Sequence, residues 1–250
     1  MKRLLDVVVA ALVSVLSLPV VAGAACLILA SDGASPFYLP MRIGRHGRPF
    51  RMYKLRSMRI GADRTGVDST AADDPRLTTM GRFLRRWKID ELPQFWNVLL
   101  GDMSLVGPRP NVSRETNLYT DIEQRMLSAH PGVTDLSSIV FADYSNILDG
   151  SSDPDLMYNR LIRPWKSRLA LLYVDSPWSL STDVLILGIT ATSLVSRQTA
   201  LTYVTSLVER LGGDQTLQRV ASRRHALQEA APPGASEVVR TRLTNADLRS

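Results

Sequence analysis

Cysteine is nearly absent from this chain. Cys26 is the only one in 250 residues, so no intrachain disulfide can form and a reducing compartment fits. Histidine is scarce too. His46, His130 and His225 are scattered, and with one thiol they offer no Cys/His metal cluster. Aromatic residues make up 6% of the chain, and no stacking or groove-reading motif appears, which argues against nucleic acid as a partner. No internal repeat is present. Charge is missing from one long stretch: after Lys2, Arg3 and Asp6, no charged residue appears from Val7 to Ala30.

What remains is divided between a very apolar end and a polar remainder. The length allows one sizeable core and a tail. Apolar residues make up 45%, and the mean hydropathy of -0.02 averages the two parts. The net charge of +6 and pI near 9.8 point to anionic partners: a phospholipid surface, nucleic acid or phosphorylated substrates.

The apolar run is long enough to cross a hydrocarbon core as a helix, which takes roughly 20 residues. Three readings compete for it. A signal peptide would have Lys2-Arg3 as its basic start and Ala22-Gly23-Ala24 as its cleavage site. An ordinary anchor would cross once. A re-entrant helix would enter the bilayer and return to the same face. Pro19 lies near the middle of the run, where it removes a backbone donor, and Ser14 and Ser17 are close enough to satisfy freed groups. The flanking charge favours return. Lys2 and Arg3 precede the run; Arg42, Arg45, Arg48, Arg51, Lys54, Arg56 and Arg59 follow it with no acid among them. A single crossing would put one basic cluster on the wrong side.

Beyond the run, Ser35 to Met58 is punctuated by Gly44, Gly47 and Pro49, then alternates apolar and basic residues through Phe50–Arg56, the pattern of a small β-hairpin. Its basic residues suit either a lipid-facing strip or a substrate site. Gly61 to Pro75 is polar and reads as a mobile loop. Phe83, Leu84 and Trp87 recur at helical spacing in Met80–Lys88 with arginines opposite, predicting an amphipathic helix for a membrane surface or a core. A short helix from Gln94 to Leu100 follows Pro93. Further helices are expected over 157–174, interrupted at Pro164, over 184–196, and as a pair over 202–229 broken at Gly212-Gly213; from Ala230 on, composition predicts disorder.

Asp90 and Glu91 are adjacent, just after Arg82, Arg85 and Arg86 and shortly before Pro108-Arg109. A carboxylate pair among arginines suits metal-assisted phosphoryl transfer: one acid attacks or holds a cation, and guanidinium forks hold phosphate oxygens. Asp90 also reads as a simple N-cap with Glu91 favoured by the helix dipole. Leu92 precedes a proline and is biased away from helix, which places Asp90 at a bend.

Taken together, these segments resemble the bacterial sugar transferases, specifically the monotopic phosphoglycosyl transferases. The resemblance is carried by Lys2-Arg3-Leu4-Leu5-Asp6, Arg42-Ile43-Gly44 with Gly47, Lys54-Leu55-Arg56-Ser57-Met58, Asp74-Pro75-Arg76, Gly81-Arg82-Phe83-Leu84-Arg85, Asp90-Glu91-Leu92-Pro93-Gln94, Gly101 to Pro110 and Pro131-Gly132-Val133-Thr134. It runs to about Val195. Three departures stand out. The Ser-Pro pair of the family's membrane helix is split here as Ser17-Leu18-Pro19, Pro40 stands where glutamine is common, and Asp135-Leu136-Ser137-Ser138-Ile139 replaces Gly-Trp-Ala-Gln-Val, so sugar preference does not carry over.

The resemblance implies an α+β, predominantly helical fold. Residues 1–34 would form the re-entrant membrane helix broken near Pro19. Residues 35–200 would form a catalytic domain of interfacial amphipathic helices with a small β-hairpin around the active site. Residues 201–250 would be an extension, partly helical and then disordered. The chain resembles the small type without a further N-terminal membrane domain, on the cytoplasmic face of the bacterial inner membrane. The implied reaction moves a sugar phosphate from a nucleotide sugar, usually a UDP-sugar, to polyprenyl phosphate with release of UMP, at the start of glycan assembly. Asp90 would be the nucleophile, Mg²⁺ would bridge Asp90 and the diphosphate, and Glu91 would tune the metal or its neighbour. Lys54, Arg56, Arg85 and Arg109, with Pro108, would line the phosphate site, and Ser17 and Pro19 the membrane break. The rival reading is a non-catalytic basic protein anchored at a membrane surface.

Overall fold

A computed structural model of the chain describes residues 1–62 and 74–240. It is mainly helical with three small sheets, the fold class expected. Most of the Gly61–Pro75 loop, and the last ten residues of the tail, lie outside the described residues.

Helix α1 (Lys2–Asp32) takes up the whole apolar run and ends on Gly33, whose φ of 70° lets its N–H reach the Leu29 carbonyl at 2.8 Å. Helical backbone continues through Pro19. Nearby, the Ser17 hydroxyl donates to the Ser14 carbonyl at 3.4 Å. Both ends of α1 are tied to the rest of the protein. At the start, Lys2 Nζ donates to the Val106 carbonyl and pairs with Asp183 at 2.6 Å, and Arg3 donates to the Val98 carbonyl. Asp6 is buried but satisfied, accepting from the Ser104 hydroxyl and the Leu105 N–H. At the far end Val21, Ala24 and Ile28 pack with Leu55 and Leu84, and Asp32 holds Arg56 by two bonds of 2.6 Å. Between these ties the helix is bare: Leu12, Val15, Leu16 and Leu18 are all more than half exposed.

The expected hairpin is two nested pieces. β1 (Phe37–Tyr38) pairs antiparallel with β4 (Lys54–Leu55), and β2 (Met41–Ile43) with β3 (Pro49–Arg51). Pro40 separates them. It has no N–H for the ladder, and only its carbonyl is used, by the Met52 N–H. Tyr53 N–H turns instead to the Asn97 side chain at 2.8 Å, whose amide donates to the Arg51 carbonyl at 2.8 Å. Asn97 thereby pins the hairpin to α3 (Gln94–Leu100).

α2 (Thr79–Arg86) is capped by Thr78, whose hydroxyl accepts from the Gly81 N–H. Only glycine fits at 81: a Cβ there would lie 1.8 Å from the Ser57 carbonyl oxygen. Of its apolar residues Leu84 is buried, while Phe83 and Trp87 stay on the surface.

A parallel pair unforeseen in the sequence joins the halves. β5 (Ser104–Val106) lies beside β6 (Gly132–Thr134), with α4 (Ser113–Thr116) and α5 (Asp121–Gln124) in the crossover. All three β5 residues are buried, as parallel strands usually are. Around it pack α6 (Leu136–Val140), α7 (Tyr144–Ile147), α8 (Pro154–Leu161), α9 (Arg163–Asp175) and α10 (Leu180–Val195). Pro164 begins α9 rather than breaking a longer helix, so the expected interruption becomes the α8/α9 joint.

The boundary drawn at 200 falls inside α11 (Arg197–Arg210). Val204 and Val208, with Leu217 and Val220 of α12 (Gln215–Ser222), belong to the same core cluster as Leu105, Leu136, Phe141 and Leu169. Nor does order end at Ala230. Trp165 Nε1 donates to the Gln228 carbonyl at 2.8 Å, Ala230 N–H to the Arg160 carbonyl, and the Thr120 hydroxyl to the Pro233 carbonyl. Backbone hydrogen bonds and buried prolines hold this strap despite its polar composition.

Candidate active site

The acid pair sits on a single 3-10 turn, Ile89–Glu91, between α2 and α3. Lys88 enters it in the left-handed conformation, φ 56°, and this reverses the chain after α2. Leu92, expected to avoid helix, has φ −54° and ψ −38°. The bend therefore comes from Lys88, not from the residue before the proline. The capping reading of Asp90 also fails. Pro93 occupies the N-cap position of α3, and no side chain caps that helix.

Asp90 is 1% exposed. Lys54 Nζ lies 2.9 Å from its Oδ2 and 3.5 Å from Glu91 Oε1. The approach to Oδ2 is an ion pair without hydrogen-bond alignment, and among the described residues Oδ1 has no partner. A buried carboxylate oxygen without a donor is costly unless something else meets it. Glu91 differs. Arg109 grips it in a fork, Nη1 at 3.2 Å from Oε2 and Nη2 at 2.5 Å from Oε1. Burial pushes the Glu91 carboxyl up, but the charges of Arg109, Lys54 and Lys88 outweigh that and hold it well below the usual carboxylate range. Glu91 in turn raises Arg109. The pair is thus asymmetric: Glu91 is committed to cations, and Asp90 keeps one oxygen uncommitted.

Arg109 owes its position to the turn after β5. Gly107 N–H bonds the Thr134 carbonyl, and Gly132 N–H bonds the Pro108 carbonyl at 3.0 Å. A Cβ on Gly107 would lie 2.2 Å from the His130 carbonyl oxygen, so glycine alone permits this crossing. Buried Pro108 then aims the chain toward the acids.

Of the residues singled out from sequence, the structure brings together Lys54, Asp90, Glu91 and Arg109, with Pro108 beside them. Arg56 is held elsewhere, on Asp32 and on the Ser35 carbonyl at 2.8 Å, where it ties down the end of α1. Arg85 donates to the Ser57 hydroxyl at 2.9 Å and feels Asp74; no bond links it to Asp90 or Glu91. Two members escaped sequence reasoning. Lys88 contributes charge to Glu91. Gln94, one helical turn after Asp90, is fully buried with neither amide atom bonded among the described residues. An amide at i+4 from an acid was the available signal.

A divalent cation is compatible with this arrangement in one way. Among the described residues no three His, Cys, Asp or Glu side chains cluster as a protein-built cage. Mg²⁺ commonly takes one or two carboxylates and completes its shell with water and substrate phosphate, a role the Asp90 carboxylate suits, with neither oxygen hydrogen-bonded among the described residues.

On the far side of Arg109 a cleft continues, lined by Asn111, Asp135, Tyr158 and Lys166 among others.

A family model described as bacterial sugar transferase matches residues 1–197. The chain is 35% identical over 202 residues to the UDP-glucose:undecaprenyl-phosphate glucose-1-phosphate transferase of Caulobacter vibrioides, covering 80% of this chain and 71% of that protein. It is 34% identical over 215 residues to the undecaprenyl-phosphate galactose phosphotransferase of Salmonella typhimurium, covering 80% and 41%. To a galactosyl transferase of Streptococcus agalactiae it is 36% identical over 200 residues, covering 76% and 41%. The chain thus spans about two fifths of the length of these last two relatives.

Proposed function

The chain belongs to the bacterial sugar transferase family, and from that premise we propose that it transfers a sugar phosphate from a UDP-sugar to polyprenyl phosphate, releasing UMP. The names of the Caulobacter and Salmonella relatives support the acceptor and the sugar-1-phosphate group, and the former supports a UDP-linked donor. The observation that carries the reading is the buried Asp90 with Oδ1 unpartnered, next to a Glu91 already neutralised by Arg109.

In the proposed sequence Asp90 Oδ1 attacks the β-phosphorus of the donor. The bond from that phosphorus to the bridging oxygen breaks, and UMP leaves with the electron pair. An oxygen of the polyprenyl phosphate then attacks the same phosphorus, the bond to Asp90 breaks, and the carboxylate is restored. Lys54, 2.9 Å from Oδ2, stabilises the ionised nucleophile and orients its other oxygen. Arg109, fixed in its charged form by Glu91, which takes its Nη1–Nη2 fork, has its remaining N–H groups to donate to a phosphate oxygen. Asp90, with Glu91 beside it, would hold Mg²⁺, which when bound cancels diphosphate charge. Arg56 and Arg85 act indirectly in this reading, by holding the end of α1 and the segment at Ser57.

The reading is tested by incubating the lipid-held protein with a panel of UDP-sugars and polyprenyl phosphate. UMP release dependent on a divalent cation is expected for at least one donor. Salt-sensitive liposome binding without UMP release from any of them would leave the basic membrane-surface protein instead.

The membrane placement belongs to the same proposal. The most apolar stretch of α1 has a mean hydropathy of 2.5 and is 17% buried, so its apolar surface is unlike that of a soluble core helix. A straight helix of this length would measure about 46 Å, longer than the roughly 30 Å hydrocarbon layer. Yet Arg3 and Asp32 are both bonded to the same small body. That favours a helix dipping into the bilayer and returning on the cytoplasmic side, with Phe83 and Trp87 at the interface. After Cys26→Ser, single cysteines at positions 2 and 45 are expected to react with an impermeant reagent from the cytoplasmic side only. Opposite-side labelling would establish a true crossing.

A further inference from the structure

The cleft beyond Arg109 plays no part in the chemistry at Asp90, yet shares a wall with it. No residue of α1 lines it, so a hydrocarbon tail finds no apolar helix there. Its walls are largely apolar, from Ile43, Met126 and Leu127 among others, and carry a few polar groups, including Lys166, Asn111 and Tyr158. Such a lining suits a small ligand oriented by those few polar groups.

Lys166, from α9, is the member without a counterpart. Its ammonium lies 4.9 Å from the centroid of the Tyr144 ring and 5.3 Å from that of Tyr158. The two rings stand edge to face, with centroids 6.3 Å apart. Its cationic neighbours each own a carboxylate: Arg109 has Glu91 and Arg163 has Glu123. Among the described residues Lys166 has no ion-pair partner and no hydrogen-bond acceptor, although Asp135 is close enough to act on its charge. Ring faces attract a cation but do not satisfy three N–H donors. Burial pushes its pKa down, the strain of a cation taken partly out of water.

We propose that this cleft is the sugar-recognition subsite of the donor, with Lys166 donating hydrogen bonds to oxygens of the hexose. The inference rests on the reading of a nucleotide sugar attacked at its β-phosphorus. The sugar is bonded to that phosphate, so when Arg109 holds one of its oxygens the hexose is the nearest group to the cleft. The nucleoside lies one phosphate further away. Lys166 is a specificity residue on this assignment, and not a participant in bond making.

The full chain in lipid nanodiscs is compared with Lys166→Met, by UMP release and by calorimetric binding of UDP-sugars and of UMP alone. Loss of a charged hydrogen-bond donor is expected to raise KM for the best UDP-sugar about tenfold or more, with a smaller change in kcat. It should also alter the order of preference among UDP-sugars and leave UMP affinity unchanged. Should Lys166→Met melt well below the unaltered chain, Lys166→Gln decides in its place. Unchanged KM and preference would overturn the assignment. So would an equal weakening of UMP, which would give the cleft to the nucleotide. If the unaltered protein binds a UDP-sugar through Lys166 but releases no UMP, the transfer reading falls and the subsite stands. If it neither binds nor turns over any UDP-sugar, both fall.

Discussion

Asp90→Asn is expected to eliminate the covalent phosphosugar adduct and to lower UMP release by at least about a thousandfold, the usual scale for removing a nucleophile. The substitution is nearly isosteric, so the 3-10 turn has no steric reason to change. What changes is one oxygen: the buried carboxylate loses its charge, and Lys54 keeps only Glu91 at 3.5 Å. Because Lys54 is part-exposed and keeps Glu91 as a partner, no charge is stranded, and the cost stays well below the roughly 3–5 kcal/mol of a buried pair broken from one side. Melting temperature and activity should therefore part company, with the first nearly constant and the second lost. Intact-protein mass spectrometry with a UDP-sugar and no acceptor provides the direct check. Persistence of the adduct in Asp90→Asn would move the nucleophile to another side chain. A fall in melting temperature with turnover retained would make Asp90 a structural residue.

The grouping of Asp90, Glu91 and Arg109 was legible because these residues are close in sequence and chemically distinctive. Asp90, Glu91 and Arg109 lie within twenty residues of one another, and adjacent acids among arginines are uncommon without a reason. α1, α2 and α3 were legible for a similar reason, since apolar runs and period-3.6 spacing are local signals. What the sequence did not show involves partners distant in the chain. The Arg56–Asp32 pair could not be read because the carboxylate lies on the other side of the hairpin. Nor could the bond from Arg85 be read, because Ser57 gives no sign of accepting from it. The parallel pair β5–β6 was invisible: two three-residue strands carry no periodicity, and the link between them is the crossing of Gly107 and Gly132. The strap through Pro233 fails by composition, since a polar, proline-containing segment reads as disordered unless its hydrogen-bond partners, here Trp165, Arg160 and Thr120, are known. Lys166 was silent for the opposite reason. One lysine in an amphipathic helix reads as solvated until two tyrosine rings and a missing acceptor are seen around it.

The largest stability effect is expected at the ion pair beneath that cleft. Glu123 is fully buried and serves three partners. It closes the capping box of α5 by accepting from the Thr120 N–H, takes the Ser167 hydroxyl at 2.7 Å, and pairs with Arg163 Nη2 at 2.6 Å. Arg163 is 3% exposed and also donates to the Leu118 carbonyl at 2.7 Å. The pair therefore joins α5 to α9, and through Thr120 and Pro233 it also anchors the C-terminal strap. Arg163→Met keeps the apolar volume but strands a carboxylate in the interior. The expected cost is about 3–5 kcal/mol, the range for breaking a buried ion pair from one side. Replacing both partners, Glu123→Gln with Arg163→Met, removes the stranded charge and should recover a substantial part of that loss. Denaturant titration of the detergent-held protein, followed by tryptophan fluorescence, reads both; Trp165 lies two residues from the substitution. A loss below about 1 kcal/mol in Arg163→Met, within the range of an exposed pair, would mean that α9 is held by its apolar face alone. Equal losses in the single and double variants would place the cost in the missing Leu118 contact and not in the stranded acid.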